Sequence, residues 1–115
     1  MEKQINIQGK EFKLRSSLFS IISYRSTFGS ELFSDITKIE KIGVDTSDIS
    51  KVIDVIFRIF YILHKPFTEE SYEDFLNSFG FEVLTNEAEL VKLSELIAEL
   101  FDSSKNGLGR SIEKR

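Results

Sequence analysis

The sequence has no cysteine and no tryptophan, and only one proline and one histidine in 115 residues. Without cysteine there is no disulfide scaffold, no thiolate zinc site and no cysteine nucleophile. A single histidine, His64, excludes any site that needs two imidazoles and leaves a Ser/His/Asp arrangement no freedom of placement. The glycines are isolated apart from Gly107-Leu108-Gly109, which lacks the third glycine, the preceding strand and the following helix of a phosphate-binding loop. Long hydrophobic runs are also missing. The most apolar stretch, Val52 to Leu63, has ten apolar residues in twelve and is broken by Asp54 and Arg58. A membrane span needs roughly 20. No apolar segment follows Met1-Glu2-Lys3-Gln4, so no secretory signal is expected and the expected location is the cytoplasm. Fifteen Lys and Arg against 19 Asp and Glu leave a net charge of −4, which argues against nucleic acid as a partner. No metal, no cofactor, no catalytic residue and no enzymatic activity are expected.

What is present is apolar and aromatic: 41% hydrophobic residues, with 11 Phe and 3 Tyr. That suffices for one domain with its own core. Ile5, Ile7, Phe12 and Leu14 alternate with polar residues on either side of Gln8-Gly9-Lys10, which predicts a β-hairpin over about 4–15. A lone hairpin is barely stable, so it must lie on helices. Ser16 and Ser17 offer an N-cap to a helix over 17–28, with a stripe of Leu18, Ile21, Ile22 and Phe28 and a stop at Gly29. Leu32, Phe33, Ile36 and Ile39 mark a second helix over 31–42, ended near Gly43. After the loop Val44 to Ser47, Ser47 or Asp48 caps a third, over 48–64, which Lys65-Pro66 terminates. Thr68 caps a fourth over 69–79, with Tyr72, Phe75, Leu76 and Phe79 on its apolar face and Gly80 as its stop. The capping-box pattern Asn86-Glu87-Ala88-Glu89 opens a fifth over 87–102, carrying Leu90, Leu93, Ile97 and Leu100. Periodicity is lost from Ser103, which reads as a flexible basic tail over 103–115. The fold class is mainly α: a single domain over 1–102, a small bundle of about five helices with an N-terminal hairpin.

Charge is unevenly spread. Residues 66–102 hold one basic and ten acidic side chains, net −9, while residues 103–115 hold four basic and one acidic, net +3. Glu87, Glu89, Glu95 and Glu99 read first as the solvated face of an amphipathic helix. They also form an acidic surface for a basic partner or for the chain's own tail. Glu69 with Glu73, and Glu70 with Asp74, would be i,i+4 pairs on the fourth helix. Nothing in the sequence supplies the pocket that separates the pKa values of paired catalytic carboxylates. His64, at a helix C-terminus, reads as a dipole or solvent contact.

The third helix is the unusual element. Ile49, Val52, Ile53, Ile56, Ile59, Phe60 and Leu63 fall on one broad face. Asp54 and Arg58, spaced i,i+4, are the only charges opposite, and Val55, Phe57, Tyr61 and Ile62 flank them. A helix apolar nearly all round is central and buried. A chain this small offers few elements to cover it, so Val55, Phe57, Tyr61 and Ile62 are also the candidate contacts for a partner or for a homo-oligomer.

The hairpin Ile7-x-Gly9-Lys10-Glu11-Phe12-x-Leu14, the turn Tyr24-Arg25-x-x-Phe28-Gly29 followed by Leu32 and Asp35-Ile36, the acidic helical bundle and the polar tail together resemble the tail assembly chaperones of long-tailed bacteriophages and prophages. The resemblance covers residues 1–102. It implies a small, mostly helical protein of the bacterial cytoplasm that binds the tape-measure protein, keeps that long helical chain soluble, helps tail-tube subunits assemble around it and leaves before the virion matures. It also implies a second, longer product made by ribosomal frameshifting. Ser104-Lys105-Asn106 is the candidate position, since UCA AAA AAC contains the slippery heptamer A AAA AAC. The same features fit a small helical virion component at the head–tail joint, or a cellular protein-binding adaptor.

Overall fold

The computed structural model describes the backbone of residues 2–42 and 52–113, and their side chains except those of 40–42, 84, 87 and 102–113. The expected loop from Val44, the cap at Ser47 or Asp48 and the helical residue Ile49 lie outside the described residues.

A two-stranded antiparallel hairpin opens the chain, β1 over Glu2–Ile7 and β2 over Lys10–Arg15, paired so that Ile7 faces Lys10 and Ile5 faces Phe12. The turn is the two residues Gln8 and Gly9, with φ of 54° and 79°. Positive φ at both central positions is the turn whose twist matches that of a hairpin. Ile5, Ile7, Phe12 and Leu14 are buried on one face, as their alternation predicts.

Among the described residues six helices follow: α1 Leu18–Phe28, α2 Leu32–Ile42, α3 Ile53–His64, α4 Tyr72–Asn77, α5 Glu82–Thr85 and α6 Glu87–Glu113, with a 3-10 turn over Lys65–Phe67. Helix α1 ends on Gly29, whose φ of 70° lets its N–H reach the Arg25 carbonyl at 2.9 Å. Helix α3 is the centre of the bundle and packs on β2, α1, α2, α4 and α6. Among the described residues, the core is one cluster, within which the hairpin packs through Phe12 on several aromatic side chains. The Phe12 ring lies 5.0 Å from Phe60, 6.0 Å from Phe75 and 5.6 Å from Phe79. The mainly helical fold with an N-terminal hairpin is the one the sequence predicts.

Three boundaries differ. The fourth helix starts at Tyr72 rather than at 69, because Thr68 is extended (φ −146°, ψ 155°) and Ser71, not Thr68, is the cap: its Oγ accepts from the Asp74 N–H at 3.1 Å. The Tyr61 hydroxyl donates to the Glu70 carbonyl at 2.7 Å and fixes that segment outside the helix. The fourth helix also ends at Asn77, and a separate one-turn helix, α5, occupies residues assigned to a connection. The last helix continues to Glu113, past the expected end at 102 and over the residues assigned to the tail.

Candidate partner-binding surfaces

The four side chains expected to face a partner on α3 are in the core. Val55 is 7% exposed, Phe57 5%, Tyr61 4% and Ile62 0%. The surrounding helices and the hairpin bury these four side chains, so the expected contact surface is corrected to structural packing, although the buried Phe57 also lines the floor of a groove described below. Asp54 and Arg58 approach within 3.8 Å, and the Arg58 guanidinium lies 5.6 Å from the centre of the Phe28 ring.

Exposed apolar surface lies elsewhere, first on α1. That helix buries Ser20, Ser23 and Tyr24 and leaves Leu18 68%, Phe19 49% and Ile22 58% exposed. Residues 18, 19 and 22 adjoin on a helix surface, so they make one ridge. The expected stripe through Leu18 and Ile22 therefore faces outward, and the reason is polar. The Ser17 N–H donates to Ser20 Oγ at 3.1 Å, and the Ser20 hydroxyl donates to the Arg15 carbonyl at 3.1 Å. The Tyr24 hydroxyl donates to Asp35 Oδ2 at 2.6 Å, and Asp35, 3% exposed, also meets Lys38 at 3.2 Å. Turning α1 over would bury the ridge but would strip a buried carboxylate of a donor, a loss of about 2–3 kcal/mol or more. Burial raises the Tyr24 phenol well above its ordinary pKa, and the Asp35 hydrogen bond and charge raise it further.

The second apolar surface is a groove of about 290 Å³ beside the N-terminal half of α3. Ile53 and Phe57 line it from α3, Leu76 and Phe79 from α4 and its end, Phe81 and Val83 from the start of α5. Leu76 is 38% exposed and Phe81 87%, so Phe81 stands at the edge of the groove with almost no protein contact. Gly80 also lines it, and a Cβ there would collide with the Glu82 carboxylate, which lies across the lip. This surface exists because α4 stops at Asn77 and α5 restarts at Glu82; Gly80 predicts the stop, but nothing in the spacing predicts the short helix that follows.

The acidic residues of α6 divide by role. Glu89 Oε2 accepts from the Gln8 N–H at 3.0 Å, and Glu99 pairs with Lys3 at 2.9 Å. Ten residues of helix cover about 15 Å and five of strand about 17 Å, so β1 runs alongside α6 with a carboxylate at each end. Two of the four residues proposed as a free acidic surface therefore clasp the hairpin. Glu95 is exposed, and the side chain of Glu87 lies outside the described set. Asn86 Oδ1 accepts from the Glu89 N–H at 3.2 Å, so the cap forms while the Glu89 carboxylate turns to the hairpin.

His64 donates Nδ1–H to the Lys13 carbonyl at 2.9 Å and meets the Phe12 ring edge-on at 5.1 Å, which ties the end of α3 to β2. Glu69 and Glu70 precede α4, so the pairs with Glu73 and Asp74 do not form on one helix. Among the described residues no group of three His, Asp or Glu is placed to hold a metal ion, and no helix is long and apolar enough to cross a membrane. The backbone at Ser104, Lys105 and Asn106 is helical, and their side chains lie outside the described set. Compared with known proteins, the chain matches no family model, no curated protein and no solved structure.

Proposed function

We propose that this chain is a tail assembly chaperone of a long-tailed bacteriophage or prophage, which binds the tape-measure protein, keeps it soluble and assists tail-tube assembly. The observation that carries the reading is the outward ridge of α1, three large apolar side chains held in water while serines occupy the inner face. Such a ridge supplies what an apolar stripe of a long helical partner needs. Many copies held along one chain gain by avidity, and a net charge of −4 keeps a protein with open apolar surface dissolved. The residues behind the resemblance fit this reading structurally: Tyr24, Gly29, Leu32, Asp35 and Ile36 build the corner from which α1 presents its ridge. In this role the protein acts in the host cytoplasm and is absent from the mature virion.

The test is co-expression with the tape-measure protein of the same genome. Wild-type chain should bring that protein into the soluble fraction and co-purify with it. A variant carrying Leu18→Gln, Phe19→Gln and Ile22→Gln should fold normally by circular dichroism and fail to do so. A tape-measure protein that stays insoluble with the wild type overturns the reading. Recovery of the chain in purified particles instead assigns it to the head–tail joint. Mass spectrometry of the products of the native gene with its downstream DNA checks the frameshift. A longer product sharing residues 1 to about 105 is expected, and a single product removes that part of the proposal.

A further inference from the structure

The groove between α3, α4 and α5 carries a second kind of information, the sign of its rim. Its far wall comes from residues 76–83, which lie within a stretch, 66–91, that contains seven acidic side chains and no Lys, Arg or His. One of those acids, Glu82, reaches a lining residue, and a second, Glu73, precedes one on the same helix. Glu82 folds over Gly80 at the lip, and Glu73, exposed, lies one helical turn before Leu76. The floor is apolar and partly aromatic, and Phe81 is left 87% exposed at the edge. Aromatic side chains standing free beside an apolar cleft are the residues that dominate binding energy once a partner covers them. Acidic flanks discourage like charge and attract the opposite one, so they set partner choice more than affinity.

The geometry points to an occupant of defined chemistry: an amphipathic helix from a separate protein that inserts large apolar side chains into the groove and carries Lys or Arg on both flanks of its stripe. This rests on the reading of the chain as a binder of helical apolar stripes, and names which stripes the groove selects. The ridge of α1 has the opposite surroundings, with Arg25 in its last turn and no acidic residue in its first. The two surfaces therefore differ in charge preference, and the groove is the one that discriminates.

Two synthetic helices with the same leucine stripe, one flanked by Lys and one by Glu, are titrated against the full chain. The Lys-flanked peptide should bind at least about ten-fold more tightly at low ionic strength, and the difference should shrink as salt screens the rim. Phe81→Ala should weaken the Lys-flanked peptide by about ten-fold while leaving the fold intact, since that ring is mostly in water. Glu82→Gln should narrow the gap between the two peptides. Equal binding of both peptides, or no effect of Phe81→Ala, overturns the proposal. Concentration-dependent self-association that Phe81→Ala abolishes, with neither peptide bound, assigns the groove to a second copy and overturns it too. Tighter peptide binding by a full chain carrying Lys105→Glu and Arg110→Glu would assign the groove to the chain's own basic end. Failure here is separable from failure of the chaperone reading. If Phe81→Ala still solubilises the tape-measure protein, only the groove assignment falls. If wild type binds the Lys-flanked peptide but leaves the tape-measure protein insoluble, only the chaperone reading falls.

Discussion

Helices α1 and α3 are both rich in apolar side chains, and the fold treats them in opposite ways. In α3 the eight residues Val55, Ile56, Phe57, Ile59, Phe60, Tyr61, Ile62 and Leu63 are all buried, because a strand and four helices surround it. In α1 the buried residues are two serines and a tyrosine, and Leu18, Phe19 and Ile22 face water. Apolar content alone does not decide burial. The number of neighbours decides it for α3, and a few directed polar bonds decide it for α1. Leaving a large apolar side chain exposed forgoes about 1.5–3 kcal/mol, so the Tyr24–Asp35 bond with its buried carboxylate offsets about one of the three.

The largest expected effect tests this contrast directly. Phe60→Ala removes a ring that is 0% exposed and packs edge-on against Phe12 and Phe75, and should destabilise the protein by about 3–5 kcal/mol in urea unfolding. Leu18→Gln or Ile22→Gln should change stability by no more than about 0.5 kcal/mol. A loss above about 1.5 kcal/mol from either would mean that the ridge is covered in the free protein, and the contrast between the helices would fail.

Next comes the bond that orients α1. Tyr24→Phe should cost about 2 kcal/mol, since Asp35 loses a donor in a buried setting. The folded phenol has a raised pKa, so its contribution is complete below its ordinary value of 10.0 and is lost as pH rises above it. Burial pushes Tyr61 and Tyr72 the same way; the Glu70 charge adds to the first and the Arg58 charge opposes the second. Unfolding free energy should therefore fall with a slope of up to about 1.4 kcal/mol per pH unit for each tyrosine above pH ~10. The Tyr24→Phe variant should show a shallower alkaline slope. An identical slope would mean that Tyr24 does not sense the buried site that fixes the helix.

What the sequence made legible follows from how local each signal is. The hairpin was readable because Ile5, Ile7, Phe12 and Leu14 alternate around a turn that needs Gly9. The end of α1 was readable because Gly29 supplies the left-handed cap. The orientation of α1 was not, because its outer face offers Leu18, Phe19 and Ile22 while its inner face offers Ser20 and Tyr24, and polar partners outside the helix, the Arg15 carbonyl and the distant Asp35, choose between them. The contact residues on α3 were misassigned because cover by other helices is a tertiary property that no spacing within residues 53–64 encodes. The groove was missed because Phe79, Gly80 and Phe81 look like the end of one helix. Their role as the hinge between α4 and α5 appears only once Val83 turns back into the core.

A backbone effect of intermediate size separates the α1 corner from its packing. Gly29→Ala meets no atom within 4 Å, so any loss comes from the left-handed φ of 70° alone. About 1 kcal/mol is expected by thermal unfolding. A larger loss would show that the corner also depends on contacts that α1 makes beyond its cap.

The smallest effects concern the clasp between the hairpin and α6, and they rank its two ends. Lys3 and Glu99 are 39% and 52% exposed, so Lys3→Ala should cost less than about 1 kcal/mol, and that cost should fade with added salt. At the other end Glu89 accepts from the N–H of Gln8, a non-glycine residue held at φ 54° whose side-chain Oε1 also accepts from the Gly80 N–H at 3.3 Å. Glu89→Ala frees that turn and should cost about 1–2 kcal/mol with weak salt dependence, because a backbone donor rather than a mobile ammonium is the partner. Hydrogen exchange at Gln8 should accelerate in Glu89→Ala and stay unchanged in Lys3→Ala. The reverse order would place the anchoring of the hairpin in its exposed ion pair, and Gln8 would then owe its backbone conformation to the turn alone.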